Sequence, residues 1–310
     1  MKKTIILIVT ILLALLLCTE AMAVSIQKSI ISADANWVVN IDMKKFTSTR
    51  LYELLMNDES TVKIRKRTDK HIRKFKFDPF KDITSITAYG TGKDEEKTVV
   101  CLSGNFNKDH ILSVLEEETE HKEISYGKHI IYSWGHDDFG VFVDSNFVLL
   151  SGSEEAIKTA LDVISGKKEN LSSSPMMNYV KEIPADAYLM GVVDNISSLA
   201  GKREKAVILK KTGMASFFVM EKKGDIALDL KFTTESTEDA KNVEQMIKGL
   251  IAFANLQLKE KKEELELLQR LNISIDGNRI RMGFTYPVEK LFDVISGRAK
   301  FLPSFLHGEF

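Results

Sequence analysis

The densest chemistry in the sequence is cationic. Residues 63–77 read KIRKRTDKHIRKFKF and hold Lys63, Arg65, Lys66, Arg67, Lys70, Arg73, Lys74 and Lys76, with Asp69 as the single acid. Bases at this density attract phosphate, sulfate or carboxylate groups, each base near an anionic surface contributing about 1 kcal/mol. Wound as a helix, the segment turns Ile64, His71, Ile72 and Phe75 to one side and the bases to the other. These eight residues are the anion-binding candidates. The competing reading is a solvated helix face whose bases pair with acids elsewhere, such as those at 94–96.

Catalytic patterns are not evident. No Gly-x-Ser-x-Gly elbow, phosphate-binding loop or His-Glu-x-x-His is present. Gly90-Thr91-Gly92 falls between two strand-like runs rather than ahead of a helix. His71, His110, His121, His129, His136 and His307 lack metal-ligand spacing. His136-Asp137-Asp138 comes nearest to a polar constellation and reads as a solvated turn. The expectation is a non-enzyme with no cofactor and no metal.

The N-terminus addresses the chain. Lys2 and Lys3 precede a thirteen-residue run, 5–17, that is apolar except for Thr10, and Ala21-Met22-Ala23 follows. That order is a cleaved export signal, with an apolar core shorter than the roughly 20 residues a membrane-spanning helix needs. Cleavage near Ala23 gives an extracytoplasmic protein, periplasmic or secreted, not integral to the membrane. The alternative is acylation at Cys18, from which Leu17 departs, because a small residue is expected before a lipidated cysteine. Lys2, Lys3 and Glu20 sum to +1, so removing them takes the net charge from −1 to −2, which favours no nucleic-acid partner. Cys101 then remains as the single cysteine, in a Thr-Val-Val-Cys-Leu run that reads as a buried strand.

Within the chain, order repeats. ISADANWVVNID (31–42) matches IPADAYLMGVVD (183–194) at an offset of 152, and Asp162-Val163-Ile164-Ser165-Gly166 recurs as Asp293-Val294-Ile295-Ser296-Gly297. Between them, 85–106 aligns with 215–236 and 124–134 with 273–284. Four matches in one order indicate a tandem duplication. In this alignment the hairpin over 139–151 has no counterpart. The expected organisation is residues 1–23 as signal, 24–166 as first repeat, 167–178 as linker and 179–310 as second repeat.

Periodicity predicts strands at 36–42, 84–90, 97–104, 187–193, 215–221 and 225–233, with hairpins at 123–134, 139–151 and 272–285. Helices are expected over 49–57, 108–120 capped by Asn107, 153–164 capped by Ser153, and 288–296. A long helix is expected over 237–271, its front (Val243, Met246, Ile247, Leu250, Ile251, Ala254) core-like and its middle charged. A projecting part of it could meet a partner. The fold class is α+β: two tandem repeats of antiparallel sheet with helices packed on one face.

Ala33-Asp34-Ala35 leading a strand into a helix, the Tyr126-Gly127-Lys128 hairpin and the 139–165 strand pair and helix resemble an uncharacterised family of exported bacterial α+β proteins. That resemblance implies an extracytoplasmic location and no assigned activity. The reading is an exported protein acting as a non-catalytic binding or scaffold module of the bacterial envelope, its partner unidentified. Docking on anionic lipid or glycan through 63–76 is an alternative, as is a hydrolase with an unrecognised site.

Overall fold

The structure, a computed structural model, describes residues 26–59, 61, 69, 72–92, 95–117, 121–135, 137–196, 212–257 and 262–296. Among these residues, twelve strands form one antiparallel sheet. They are β1 Trp37–Asp42, β2 Ile83–Gly90, β3 Val99–Gly104, β4 Lys122–Tyr126, β5 His129–Trp134, β6 Asp138–Phe142, β7 Phe147–Ser151, β8 Leu189–Val193, β9 Thr212–Lys222, β10 Asp225–Thr234, β11 Asn272–Asp276 and β12 Arg279–Pro287. The helices are α1 Met43–Phe46, α2 Arg50–Asn57, α3 Pro79–Asp82, α4 Lys108–Leu115, α5 Glu154–Ile164, α6 Met177–Val180, α7 Thr237–Gln257, α8 Lys262–Gln269 and α9 Val288–Ser296. The α+β class stands. Caps form where the sequence places them: Asn107 accepts from the His110 N–H and Ser153 from the Ala156 N–H.

The two halves meet at the middle of the sheet, where β1 pairs with β8 and Val39 lies opposite Gly191. The sequence offset of 152 carries Val39 onto Gly191, so this pair maps onto itself and marks a pseudo-two-fold axis. Two hydrogen bonds are mates under it: Asp42 N–H to Tyr188 O and Asp194 N–H to Asn36 O, both 2.8 Å. Outward from this seam the strands run β1-β2-β3-β7-β6-β5-β4 on one side and β8-β9-β10-β12-β11 on the other.

That order corrects one alignment. β12 lies against β10 as β7 lies against β3, so 272–283 is the counterpart of 139–151, and the unit without an equivalent is the β4–β5 hairpin. The sequence match to 124–134 was drawn by the glycine each turn requires: Gly127 has φ 60° and Gly277 has φ 58°. These two hairpins share an asparagine clamp. Asn146 Nδ2 donates to Gly104 O at 2.9 Å, and Asn278 Nδ2 donates to Thr234 O at 2.7 Å. In each hairpin the backbone closes the same ring, Gly104 N–H to Asn146 O and Thr234 N–H to Asn278 O, both 2.9 Å. Replacing either asparagine with alanine strands a carbonyl at a turn and costs about 1–2 kcal/mol, read as a lower urea midpoint at unchanged m-value.

Helices cover both faces of the sheet rather than one. Val38, Tyr89, Cys101 and Leu149 pack with Ile157, Ala160 and Leu161 of α5 and with Met177 of α6. Their strand neighbours Ile41, Ile86, Leu102 and Val148 point the other way and pack with Met43, Phe46 and Leu51 of α1 and α2 and Val288 and Leu291 of α9. The central strands are apolar at successive positions, Leu189 through Val192 being buried on β8, which demands cover on both sides. A third cluster joins Ala240, Val243 and Ile247 of α7 to Phe232 and Ile280. The stretch from 167 to 178 is folded in: Leu171 N–H donates to Ile31 O at 2.8 Å, and Leu171 and Met176 are fully buried. In the region expected as one helix over 237–271, α7 and α8 are described, and 258–261 lie outside the described residues.

Candidate functional site

Two surfaces have the character of a site. The first lies at the end of the basic segment. Of the eight candidates, Lys63, Arg65, Lys66, Arg67 and Lys70 lie outside the described residues. Residues 72–75 are helical, with Ile72 and Phe75 half-buried and Arg73 and Lys74 exposed. Lys76 leaves the helix at φ 47°, a left-handed conformation uncommon for a side chain of its kind. Aromatic packing fixes this exit: the Phe77 ring stacks on Phe106 at 5.4 Å, and Phe106 meets Phe142 edge-on at 6.5 Å. The Lys74 carbonyl lies 2.9 Å from His110 Nε2 on α4. A groove of about 400 Å³ opens here, lined by Lys76, Asp82, Asn105, Phe106, Asn107, Ser145 and Asn146. The Lys108 ammonium sits 5.7 Å from the Phe142 ring centre beside it. Asparagine amides, the Lys76 and Lys108 ammoniums and an aromatic ring suit hydroxyl-rich or anionic groups, with the Asp82 carboxylate as the one acid in the lining.

The second surface is on α7. Its inner side buries Ala240, Val243 and Ile247 against β10 and β12. Its outer side presents Met246, Leu250, Phe253 and Leu256 to solvent, at 43%, 60%, 59% and 63% exposure. Met246 and Leu250 were expected in the core, and this exposure corrects that reading. At about 100° per residue, the two apolar sets centre roughly 100° apart, too wide for one packing face. That separation was present in the sequence as the sign of a second contact surface. Met, Leu and Phe exposed along one side of a helix form an apolar patch of the kind that protein surfaces otherwise tend to avoid.

Elsewhere, reactive groups are held for structure. Cys101 is buried, and burial pushes its thiol well above the ordinary range, away from thiolate chemistry. Asp138 is buried, and the loss of solvent raises its carboxyl; the neighbouring His136 lies outside the described residues. Lys45 is buried between Asp42, 3.3 Å away, and the Ala185 carbonyl at 3.2 Å. Burial lowers its ammonium while Asp42 opposes that shift. Lys45 thereby ties α1 to the Ala185-Asp186-Ala187 loop. Among the described residues, no three His, Cys, Asp or Glu side chains converge as a metal site, and no helix is long and apolar enough to cross a membrane.

No protein-family model matches the chain, and no curated protein sequence matches it significantly. Solved structures do. Crystal form III of the protein TP0453 superposes with a TM-score of 0.53 at 12% identity, over 87% of this chain and 98% of that one. Crystal form I gives 0.50 at 11%, over 87% and 96%. The likeness is one of fold.

Proposed function

We propose that the chain is exported and works as a non-catalytic binding module of the bacterial envelope, holding a partner through the outer side of α7. The stripe Met246–Leu250–Phe253–Leu256 is the observation that carries this reading, because an apolar row of that extent in water costs free energy that only a partner recovers. The signal-like order of residues 2–23 supports the location. A photo-crosslinking residue at position 253 should trap one discrete envelope species, whereas the same residue at Lys128, exposed in the β4–β5 turn, should trap none. Equal or absent labelling at both positions contradicts the proposal.

A second reading is favoured by the groove at Lys76. There the basic segment docks the protein on anionic lipid or glycan. Reversing Arg73, Lys74 and Lys76 to glutamate should then weaken salt-sensitive retention on anionic vesicles or an anionic polysaccharide by on the order of a hundredfold. Unchanged retention removes this reading and leaves the first intact.

A further inference from the structure

The duplication shows how one open side of the sheet can be completed. β11 ends the sheet in the second repeat, and no strand flanks it among the described residues. Its counterpart in the first repeat, β6, is paired on the outer side by β5, with Ile131 opposite Val141, Tyr132 opposite Gly140 and Ser133 opposite Phe139. The same architecture therefore accepts an antiparallel strand at this place. β11 carries little of the usual protection of an edge: its register against β12 has no bulge, and Asn272-Ile273-Ser274-Ile275-Asp276 contains neither lysine nor proline, its one charge being Asp276 at the turn.

Its polar groups are aimed for pairing. Asp276 and Arg279 flank the two-residue turn and pair with each other. Strand alternation then directs the N–H and C=O of Asn272, Ser274 and Asp276 toward β12 and those of Ile273 and Ile275 outward. The Thr234 N–H bond to Asn278 O, on the β10 side, fits that alternation. The side-chain pattern is self-complementary about Ser274. An antiparallel copy centred there sets Ile273 against Ile275 of the second copy, Asn272 against Asp276 of the second copy, and Ser274 against Ser274 of the second copy. All the outward N–H and C=O groups of Ile273 and Ile275 find partners, and both isoleucines lie on the α7 side, where they already pack on the cluster of Ala240, Val243 and Ile247.

We infer that two copies of this chain join β11 to β11 about a two-fold axis at Ser274, forming one continuous sheet across the dimer. An isologous contact of this kind closes on itself, whereas joining β11 to the β4 edge would propagate into a filament. β4 begins with exposed Lys122 and Glu123, charges that guard that edge. The inference concerns a surface separate from the outer side of α7, so the two stand or fall independently.

Cross-linking tests it. In a Cys18→Ser background, which leaves buried Cys101 as the native thiol, Ser274→Cys places two thiols across the axis within reach of a disulfide. Mild oxidation should convert the purified protein to a species of doubled mass, and Ser125→Cys on β4 should give none. Ser274→Asp should keep the circular dichroism and melting curve, since Arg281 lies opposite it within the chain, yet raise the dimer dissociation constant by about tenfold or more through carboxylate repulsion across the axis. A wild-type protein that sediments as a monomer at every concentration overturns the inference. So does an unchanged dimer in Ser274→Asp, or a mixed disulfide between Ser274→Cys and Ser125→Cys chains.

Discussion

Phe46→Ala destabilises the protein by about 3–5 kcal/mol, the range for deleting a fully enclosed aromatic ring. Phe46 is completely buried. Its ring meets Tyr52 edge-on at 5.3 Å and stacks on Tyr188 at 6.3 Å. The surrounding cluster draws Ile41 and Leu51 from the first repeat and Leu189, Tyr286 and Leu291 from the second. The cavity therefore opens between the two halves of the chain, and the loss appears in both at once. Denaturant unfolding followed by circular dichroism measures it. Leu250→Ala, on the exposed outer side of α7, is the contrast: it changes stability by less than about 0.5 kcal/mol while weakening any partner held there. A large loss at Leu250 would mean that this side is already covered.

Gly191→Ala is the second large effect, at about 2–3 kcal/mol. Gly191 sits on the pseudo-two-fold axis opposite Val39, and a methyl group added there would lie on the Phe217 ring edge. Phe217 is half-buried and packs against the cluster between the two halves, so its ring must shift to admit the methyl group. The backbone at Gly191 is an ordinary strand, so the requirement is space and not conformation. Phe217→Ala should therefore recover part of the loss in a double-mutant cycle, with a coupling energy near 1 kcal/mol. Strict additivity would show that the crowding is relieved elsewhere.

The strands and their turns were legible because their signals are local. Asp276-Gly277-Asn278 needs a left-handed glycine, and the Ala-Asp-Ala loops lead into strands with alternating apolar residues. The correspondence between the two halves was legible only at the seam. Farther out, two hairpins competed for one counterpart, and strand residues such as Ile, Tyr and Ser cannot separate them. Asn146 and Asn278 can, because each reaches the carbonyl at the end of the strand that flanks its hairpin in the sheet, β3 or β10, but that contact is long-range and invisible to spacing. The choice of face for each helix was illegible for a similar reason. α5 and α9 share Asp-Val-Ile-Ser yet pack on opposite sides, Ala160 and Leu161 with one cluster and Leu291 with the other. The basic segment was plain in the sequence, whereas the groove beside Lys76 depends on Asn105, Asn107 and Asn146 arriving from two different connections.

The β1–β8 pairing joins the two halves of the chain into one sheet, and the proposed use of α7 as a docking surface requires that sheet to behave as a single cooperative unit. Native-state hydrogen exchange addresses this directly. Amides of β1 and β8 at the seam, and of β3 and β10 on either side, should exchange only through global unfolding, with one common free energy and one common denaturant dependence. Two separate free energies, one for each half with the seam following the weaker, would contradict it.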